Sequence, residues 1–316
     1  VAIDLVIQDG ETAETLFLLG DVPTEALAKP LIERLTQAGF DAEFEKTRTQ
    51  WESFLGTLQV TTPDEAFDRM VNTWLPYQNL ACRIRARSAF YQASGAFGFR
   101  DQLQDTLALM LQDPGLARAQ ILNAASRQFP EGDVQHWWLP RSGAGVRTLI
   151  SDDVVWLAYA AAHYISVTGD RAILDEELSF LGGPELGEKH ESFFQPEISE
   201  ERSALYDHCA RALDLAVSRT GEHGLSLILG GDWNDGMNRV GIEGKGESTW
   251  LSWFLISALR AMIPHAKARG DQTRAIAWEA HRRALKTAVE ANAWDGAWYR
   301  RGYFDDGSPL GASENE

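Results

Sequence analysis

Hydrophobic positions change their spacing along the chain, and each change predicts a different element. Val1, Ile3, Leu5 and Ile7 alternate with other residues, Asp9-Gly10 supplies a turn, and Leu16-Phe17-Leu18-Leu19 follows, so residues 1–20 read as a β-hairpin. Residues 24–58 carry a mixed pattern that reads as helical. From about residue 64 the apolar positions recur with helical period, in segments near 64–91, 101–112, 117–128, 152–168, 203–218, 249–268 and 272–292. None of the stretches between them reads as a strand pair. Thr62-Pro63-Asp64-Glu65 opens the first of these helices with a proline and acids where the helix dipole favours them, and Ser151-Asp152-Asp153 opens the fourth.

The connections at 129–151, 181–202, 221–248 and 293–316 are long and rich in Gly, Trp and acidic residues. Loops of that length in a compact domain usually carry function. Successive helical hairpins with such loops predict a mainly α domain of α/α-toroid type. Seven helices are too few for a closed ring of six hairpins.

Charge removes some classes of partner. With 29 basic and 46 acidic residues the net charge is −17, and a field of that sign repels nucleic-acid backbones and anionic lipid surfaces. The most apolar stretch, Val154–Val167, contains His163 and is shorter than the roughly 18 residues needed to span a bilayer. There is no basic segment followed by an apolar block at the start, so no signal peptide is read, and the absence of an initial Met points to a chain cut from something longer. Cys82 and Cys209 lie far apart in helical patterns and are expected as buried free thiols, which fits a reducing, cytoplasmic setting. The chain holds no GxxxxGK[ST], GxGxxG, CxxC or HExxH pattern, so no cofactor or metal is expected.

Among the 11 tryptophans, Trp137, Trp138, Trp233, Trp294 and Trp298 sit in polar, Gly-rich segments. A flat ring with an N–H handle suits the face of a sugar as well as it suits a core. The sharpest polar segment is Gly230-Gly231-Asp232-Trp233-Asn234-Asp235-Gly236-Met237-Asn238, where two carboxylates flank a Trp-Asn pair; the same composition also makes ordinary Asx turns. Arg100-Asp101 can hold several hydroxyls of one sugar, or can be a solvated Arg beside a helix cap. Gln135, His136 and Trp137 follow Asp133 in a loop, where His136 is either a hydroxyl ligand or a hydrogen-bonded loop residue. Arg147 with Asp152 and Asp153 reads first as an ion pair and helix cap, and Asp153 is carried forward as a sugar ligand too. Glycosidic cleavage needs a protonated carboxylic acid beside the leaving oxygen and a nucleophile on the opposite face, and spacing alone does not say whether that nucleophile is water or phosphate.

Three segments together resemble glycoside-hydrolase family 94, whose members include inverting disaccharide and β-1,2-oligoglucan phosphorylases. They are Phe90 to Asp105 (FYQASGAFGFRDQLQD), Gln135-His136-Trp137-Trp138 and Gly231-Asp232-Trp233-Asn234-Asp235-Gly236. Within the family the chain is most similar to the phosphorylase-like module of bacterial cyclic β-1,2-glucan synthases. The resemblance implies the end of a β-sandwich at 1–22, a helical linker at 23–62 and an (α/α)6 barrel at 63–316, incomplete at its C-terminus. It implies Asp235 as general acid, Trp233 lining the sugar site, Arg100 and Asp101 holding the glucosyl unit, and Asp232 orienting the loop. It further implies a β-1,2-glucan oligosaccharide as substrate, inorganic phosphate as co-substrate and membership of a larger membrane-bound synthase.

Two departures bear on these expectations. Disaccharide phosphorylases of the family carry an arginine shortly before the Arg-Asp pair, whereas Ala93-Ser94-Gly95-Ala96 is small and neutral, which leaves room for another linkage or a longer chain. The family's phosphate-binding residues lie in segments later than Glu316, so phosphorolysis is not expected of these residues alone. An inverting hydrolase using Asp101 or Asp232 to activate water, and a glucan-holding module without catalysis, remain the alternatives.

Overall fold

Periodic apolar spacing becomes helix almost wherever it occurs. The computed structural model describes residues 3–85, 95–187 and 189–313, and the chain divides into two units, Val1–Gln59 and Val60–Glu316. In the first unit, helix α1 (Glu25–Gly56) is broken at Gly39, whose φ of 77° only glycine adopts without strain. Leu16, Phe17 and Leu18 line a groove of about 300 Å³ with Phe40 and Phe44, whose rings stack at 5.7 Å.

The hairpin expected at 1–20 does not form among the described residues. The turn is present, with Glu11 N–H donating to Gln8 O at 3.0 Å, but neither arm pairs as a strand. Val6 and Leu19 stand almost fully exposed. Two strands with no third to cover their apolar face are marginal in water, and among the described residues of this unit none forms a third strand.

In the second unit Asp64 caps α2 (Glu65–Arg69) by accepting from the N–H groups of Ala66 and Phe67. As far as Arg85, where the described residues pause, the segment read as one helix alternates between π and α geometry: π-helical Met70–Trp74, α3 (Leu75–Gln78) and π-helical Asn79–Arg85. Pro76 lies in this stretch, and a proline removes one N–H from the helical ladder. Then follow α4 (Phe99–Leu109), α5 (Pro114–Ala125), α6 (Asp153–Thr168), α7 (Leu205–Ser218), α8 (Thr249–Ala268) and α9 (Gln272–Ala288). Helices α4, α6 and α8 pack side by side, α5 lies against α4 and α6, α7 against α6, and α9 against α8. Three successive helical pairs thus form two layers, and no six-pair ring closes among the described residues. The layers are sealed by fully buried Phe99, Leu103, Ile121, Leu213 and Leu259, each contributing about 1.5–3 kcal/mol through removal from water. Among the described residues no helix is long and apolar enough to cross a membrane.

The connections hold strands that the hydrophobic pattern did not reveal. They are β1 (Phe97–Gly98), β2 (Gln135–Trp138), β3 (Gly145–Thr148), β4 (Glu177–Gly182), β5 (Glu191–Phe194), β6 (Glu197–Ala204), β7 (Ser226–Leu227), β8 (Glu247–Ser248), β9 (Gly302–Tyr303) and β10 (Pro309–Leu310). They pair antiparallel in the orders β1-β2-β3-β5, β4-β6 and β10-β9-β8-β7. Most are two to four residues long, too short for alternation to show in a sequence. Cys209 is fully buried as expected, and burial pushes its thiol well above the ordinary range, but Cys82 is only half-buried.

Candidate active site

Two pieces of chain far apart in sequence are held together by backbone bonds at the end of the helical layers. Gly230 N–H donates to Leu149 O at 3.0 Å, and Ser151 donates to Gly231 O through both its N–H (2.8 Å) and its hydroxyl (2.9 Å). Gly231 has φ 137°, a backbone that side-chain-bearing residues rarely adopt, and it turns the chain into Asp232. Asp232 is fully buried. Both its oxygens accept from Arg301 at 2.6 Å, one accepts from the Ser248 hydroxyl at 2.5 Å, and the other from Asn234 N–H at 3.1 Å. With every lone-pair direction taken and no exposure, Asp232 anchors the loop, as expected, and is unfit to protonate a leaving group or activate water.

The loop carries Trp233 and Asp235 outward; the Asp235 side chain is 53% exposed. Arg100, in the first turn of α4, reaches both Asp235 oxygens at 2.9 and 3.1 Å. Its other terminal nitrogen donates to Asp152 at 3.2 Å and to Asp232 O at 3.2 Å. Burial opposes the charge on Arg100, but Asp152, Asp153 and Asp235 more than offset it and hold the guanidinium firmly protonated. Asp152 stands at the cap position just before α6, yet its carboxylate caps nothing: it accepts from Arg100 and from Trp156 Nε1 at 2.9 Å. Its own pKa is raised, first by burial and then by Asp153. The ion pair read between Arg147 and Asp152-Asp153 is absent. Arg147 donates instead to Asp133, at 2.6 Å to each oxygen, and to Glu131 at 2.9 Å, behind the strands.

Strand β2 meets β3 with Gln135 opposite Arg147 and Trp137 opposite Val146, so His136 is an extra residue, a β-bulge. Successive residues of a regular strand face opposite sides, whereas the bulge lets His136 and Trp137 both face the same space. His136 Nδ1 lies 2.8 Å from Asp153 and its Nε2 3.9 Å from Asp235. Burial works against a charge on this ring, but Asp153 and then Asp235 raise its pKa to about 9. The ring is therefore protonated at neutral pH. Since its folded value exceeds the ordinary 6.5, charged His136 adds stability that is full below about 6.5 and is lost as pH rises through about 9. Nitrogen-15 NMR is expected to show the ring titrating near 9, and in Asp153→Asn near or below 6.5; a wild-type midpoint at 6.5 would contradict the pairing.

Arg100, Asp101, His136, Trp137, Trp233 and Asp235 line one cleft of about 700 Å³. A β-carbon on Gly98 would come within 2.1 Å of Asp101 Oδ2, so a side chain at that position would force the Asp101 carboxylate to move. Trp233 is half-exposed and donates from Nε1 to Gln104 at 3.1 Å, which fixes the ring at the rim. Two expected sugar ligands do not line this cleft. Gln135 is buried and its amide donates to Gly143 O at 3.0 Å, tying down the β2–β3 turn. Asp153 is buried behind His136. Both position the wall and do not form its surface.

Other lining residues escaped the sequence reading. Arg83 and Asp105 pair at 2.9 Å and both line the cleft. Arg83 sits in the second π-helical stretch, and its helical spacing gave no reason to separate it from surface arginines. Residues Phe90–Ser94 of the motif lie outside the described residues, and with them half of the neutral wall expected at 93–96; Ala96 does line the cleft.

Against this geometry, residues 50–316 match the family model described as Glycosyl hydrolase 94 superfamily, catalytic domain. The chain belongs to glycoside-hydrolase family 94. It is 58% identical over 316 residues to cyclic beta-(1,2)-glucan synthase NdvB of Rhizobium meliloti (strain 1021), covering all of this chain and 11% of that protein. It is 31% identical over 309 residues to solabiose phosphorylase of Paenibacillus borealis, covering 97% of this chain and 37% of that one. A third relative, 3-O-beta-D-glucopyranosyl-beta-D-glucuronide phosphorylase of the same organism, is 29% identical over 99% of this chain and 38% of its own length. The chain spans well under half the length of each of these relatives.

Proposed function

We propose that this chain carries the acid-bearing part of an inverting glycoside phosphorylase acting on β-1,2-linked glucan and yielding α-glucose 1-phosphate. The observation that carries the reading is Asp235, a half-exposed carboxyl held between Arg100 and His136 in the lining of a polar cleft. Arg100 and Asp101 offer a fork of donors and paired acceptors for the hydroxyls of one glucosyl unit, and the Trp233 ring offers an apolar face. In the reaction Asp235 takes up a proton from solvent and then passes it to the glycosidic oxygen as the bond to the anomeric carbon breaks. A phosphate oxygen bonds to that carbon from the opposite face, so one C–O bond replaces another with inversion. Donation requires an Asp235 oxygen released from Arg100, so sugar hydroxyls must take over part of that pair.

The likeness to a β-1,2-glucan synthase supports that linkage. It also supports placing the chain as a cytoplasmic module of a larger membrane-bound synthase, with a glucan oligosaccharide and phosphate as partners. The test is release of glucose 1-phosphate from β-1,2-gluco-oligosaccharides, with and without phosphate, by a longer protein that extends beyond Glu316, because phosphorolysis is not expected of these residues alone. Product that forms only with phosphate is the expected result. Free glucose formed without phosphate would make the enzyme a hydrolase, for which Asp101 in the cleft, and not Asp232, is the candidate base. No product in either condition would favour a glucan-holding module.

A further inference from the structure

Each cation beside Asp235 has a second carboxylate behind it. Arg100 reaches Asp235 with one terminal nitrogen, at 2.9 Å, and Asp152 with the other, at 3.2 Å. His136 turns Nε2 toward Asp235, at 3.9 Å, and Nδ1 onto Asp153, at 2.8 Å. The two rear carboxylates are neighbours in sequence. We infer that Asp152 and Asp153 are a pair of positioning residues, each holding one cation in place while Asp235 gains and loses its proton. The inference rests on the reading of Asp235 as the acid, and adds to it the groups that let a carboxyl in this setting become neutral.

The difficulty they resolve is electrostatic. A general acid is neutral for part of every turnover, and a neutral Asp235 no longer balances the cations beside it. The Arg100 side chain is only 8% exposed, and a guanidinium does not give up its charge. Without a carboxylate it would be a buried, unpaired cation, which is strongly destabilising, and that cost would oppose protonation of Asp235. Asp152 removes the obstacle. It is fully buried and is itself held by Trp156 Nε1 at 2.9 Å, so Arg100 keeps a fixed acceptor whichever form Asp235 takes.

Helix geometry allows adjacent residues to do this for two different cations. Asp152 stands just before α6 with helical backbone angles, and Asp153 is the first residue of α6. Consecutive helical residues point about 100° apart. One carboxylate therefore meets α4 through Arg100 and the other meets β2 through His136. The second oxygen of Asp153 is buried and takes no hydrogen bond among the described residues, so Asp153 depends on the imidazolium. The two arms differ in one respect: an unpaired imidazolium can release its proton, whereas a guanidinium cannot.

That difference supplies the experiment, a pair of double-substitution cycles on the 316-residue chain. Urea unfolding is followed at about pH 8, above the value of about 7 to which burial pushes Asp152, so that this carboxylate is charged. Asp152→Asn and Asp235→Asn each leave Arg100 one carboxylate, and together they leave none. The double variant is expected to lose about tenfold more in folding equilibrium constant than the two single losses combine to give. Asp153→Asn with Asp235→Asn is expected to combine within about twofold, because His136 sheds its proton. Losses that simply combine in the Arg100 cycle would overturn the inference. Should Asp152→Asn not fold, Asp235→Asn alone supplies a second measurement. Nitrogen-15 NMR is then expected to find the Arg100 guanidinium hydrogens still protected from exchange, and loss of that protection would overturn the inference too.

A longer, active protein containing this chain gives the functional readout. There Asp152→Asn is expected to lower kcat with little change in KM, and to move the alkaline fall in rate to lower pH, because Arg100 then depends on Asp235 remaining a carboxylate. Other charged groups face Asp235 as well: Arg83, Asp101 and Asp105 in the cleft, His190 and Glu191 on its other side, and Asp232 with Arg301 on its own loop. The substitution leaves all of them in place. A rate lowered equally at every pH would mean that Asp152 only supports the fold, and would overturn the inference. Near-normal turnover in Asp235→Asn would instead remove the acid reading, while the unfolding cycles would still report on Arg100.

Discussion

In a longer, active protein that contains this chain, Asp235→Asn is expected to lower phosphate-dependent glucose 1-phosphate release by about 10²- to 10⁴-fold, the usual contribution of a general acid, with oligosaccharide affinity close to wild type. The amide keeps the size of the carboxyl and can still accept a hydrogen bond from Arg100, but it has no carboxylic proton to pass to the glycosidic oxygen. The loss should therefore fall on kcat and not on KM. Substrates with a good leaving group supply the second readout. A phenol-like aglycone leaves without needing a proton, so an activated β-glucoside should recover much of the lost rate. A variant with near-normal turnover on natural glucan would remove Asp235 from the acid role. Asp232 would not inherit that role, because it is fully buried and wholly engaged with Arg301, Ser248 and the Asn234 N–H.

Asp232→Ala is expected to cost about 3–5 kcal/mol of folding stability, the range for removing one partner of a buried ion pair. Arg301 would keep its charge with its bidentate acceptor gone, and Ser248, which also caps α8 by accepting from Leu251 N–H at 3.0 Å, would lose a partner. Thermal or urea unfolding of the chain reads this directly. A change below about 1 kcal/mol, the range of exposed pairs, would show that the pair contributes little to stability. Together the two substitutions separate neighbouring carboxylates three residues apart: one should disable chemistry in a folded protein, and the other should unfold it.

The helical framework could be read from the sequence because it depends on long stretches of periodic burial. The segments read at 152–168, 249–268 and 272–292 differ from α6, α8 and α9 by a few residues, the last of them continuing past Ala288 as a π-helical turn. What escaped was short or non-local. Strands such as β2 and β3 have four residues each and are specified by pairing across a turn that Gln135 ties to Gly143. Motif segments announced Arg100, Trp233 and Asp235, but not that Arg100 would join Asp152 and Asp235 across 52 and 135 positions. Gln135 and Asp153 illustrate the opposite limit. Their residue types suit a sugar, and only depth shows that one braces a turn and the other a histidine. The hairpin expected at 1–20 had the right alternation and turn, but a sheet also needs neighbours, which a local pattern does not supply.

The bulge at His136 has a consequence for how this wall can change over evolutionary time. Ahead of the bulge, β2 keeps step with the interior through Gln135 and Arg147; beyond it, the strand keeps step with Val146 and the aromatic face. The spare residue works like a slipped gear tooth between those halves. A deletion there would not merely lose an imidazole. It would restore strict alternation and turn one of two adjacent side chains away from the cleft, so the wall would offer either a charge or a ring. Keeping both in a strand of four residues means keeping the irregularity, and the unevenness of this strand is therefore as much inherited chemistry as the side chains it displays.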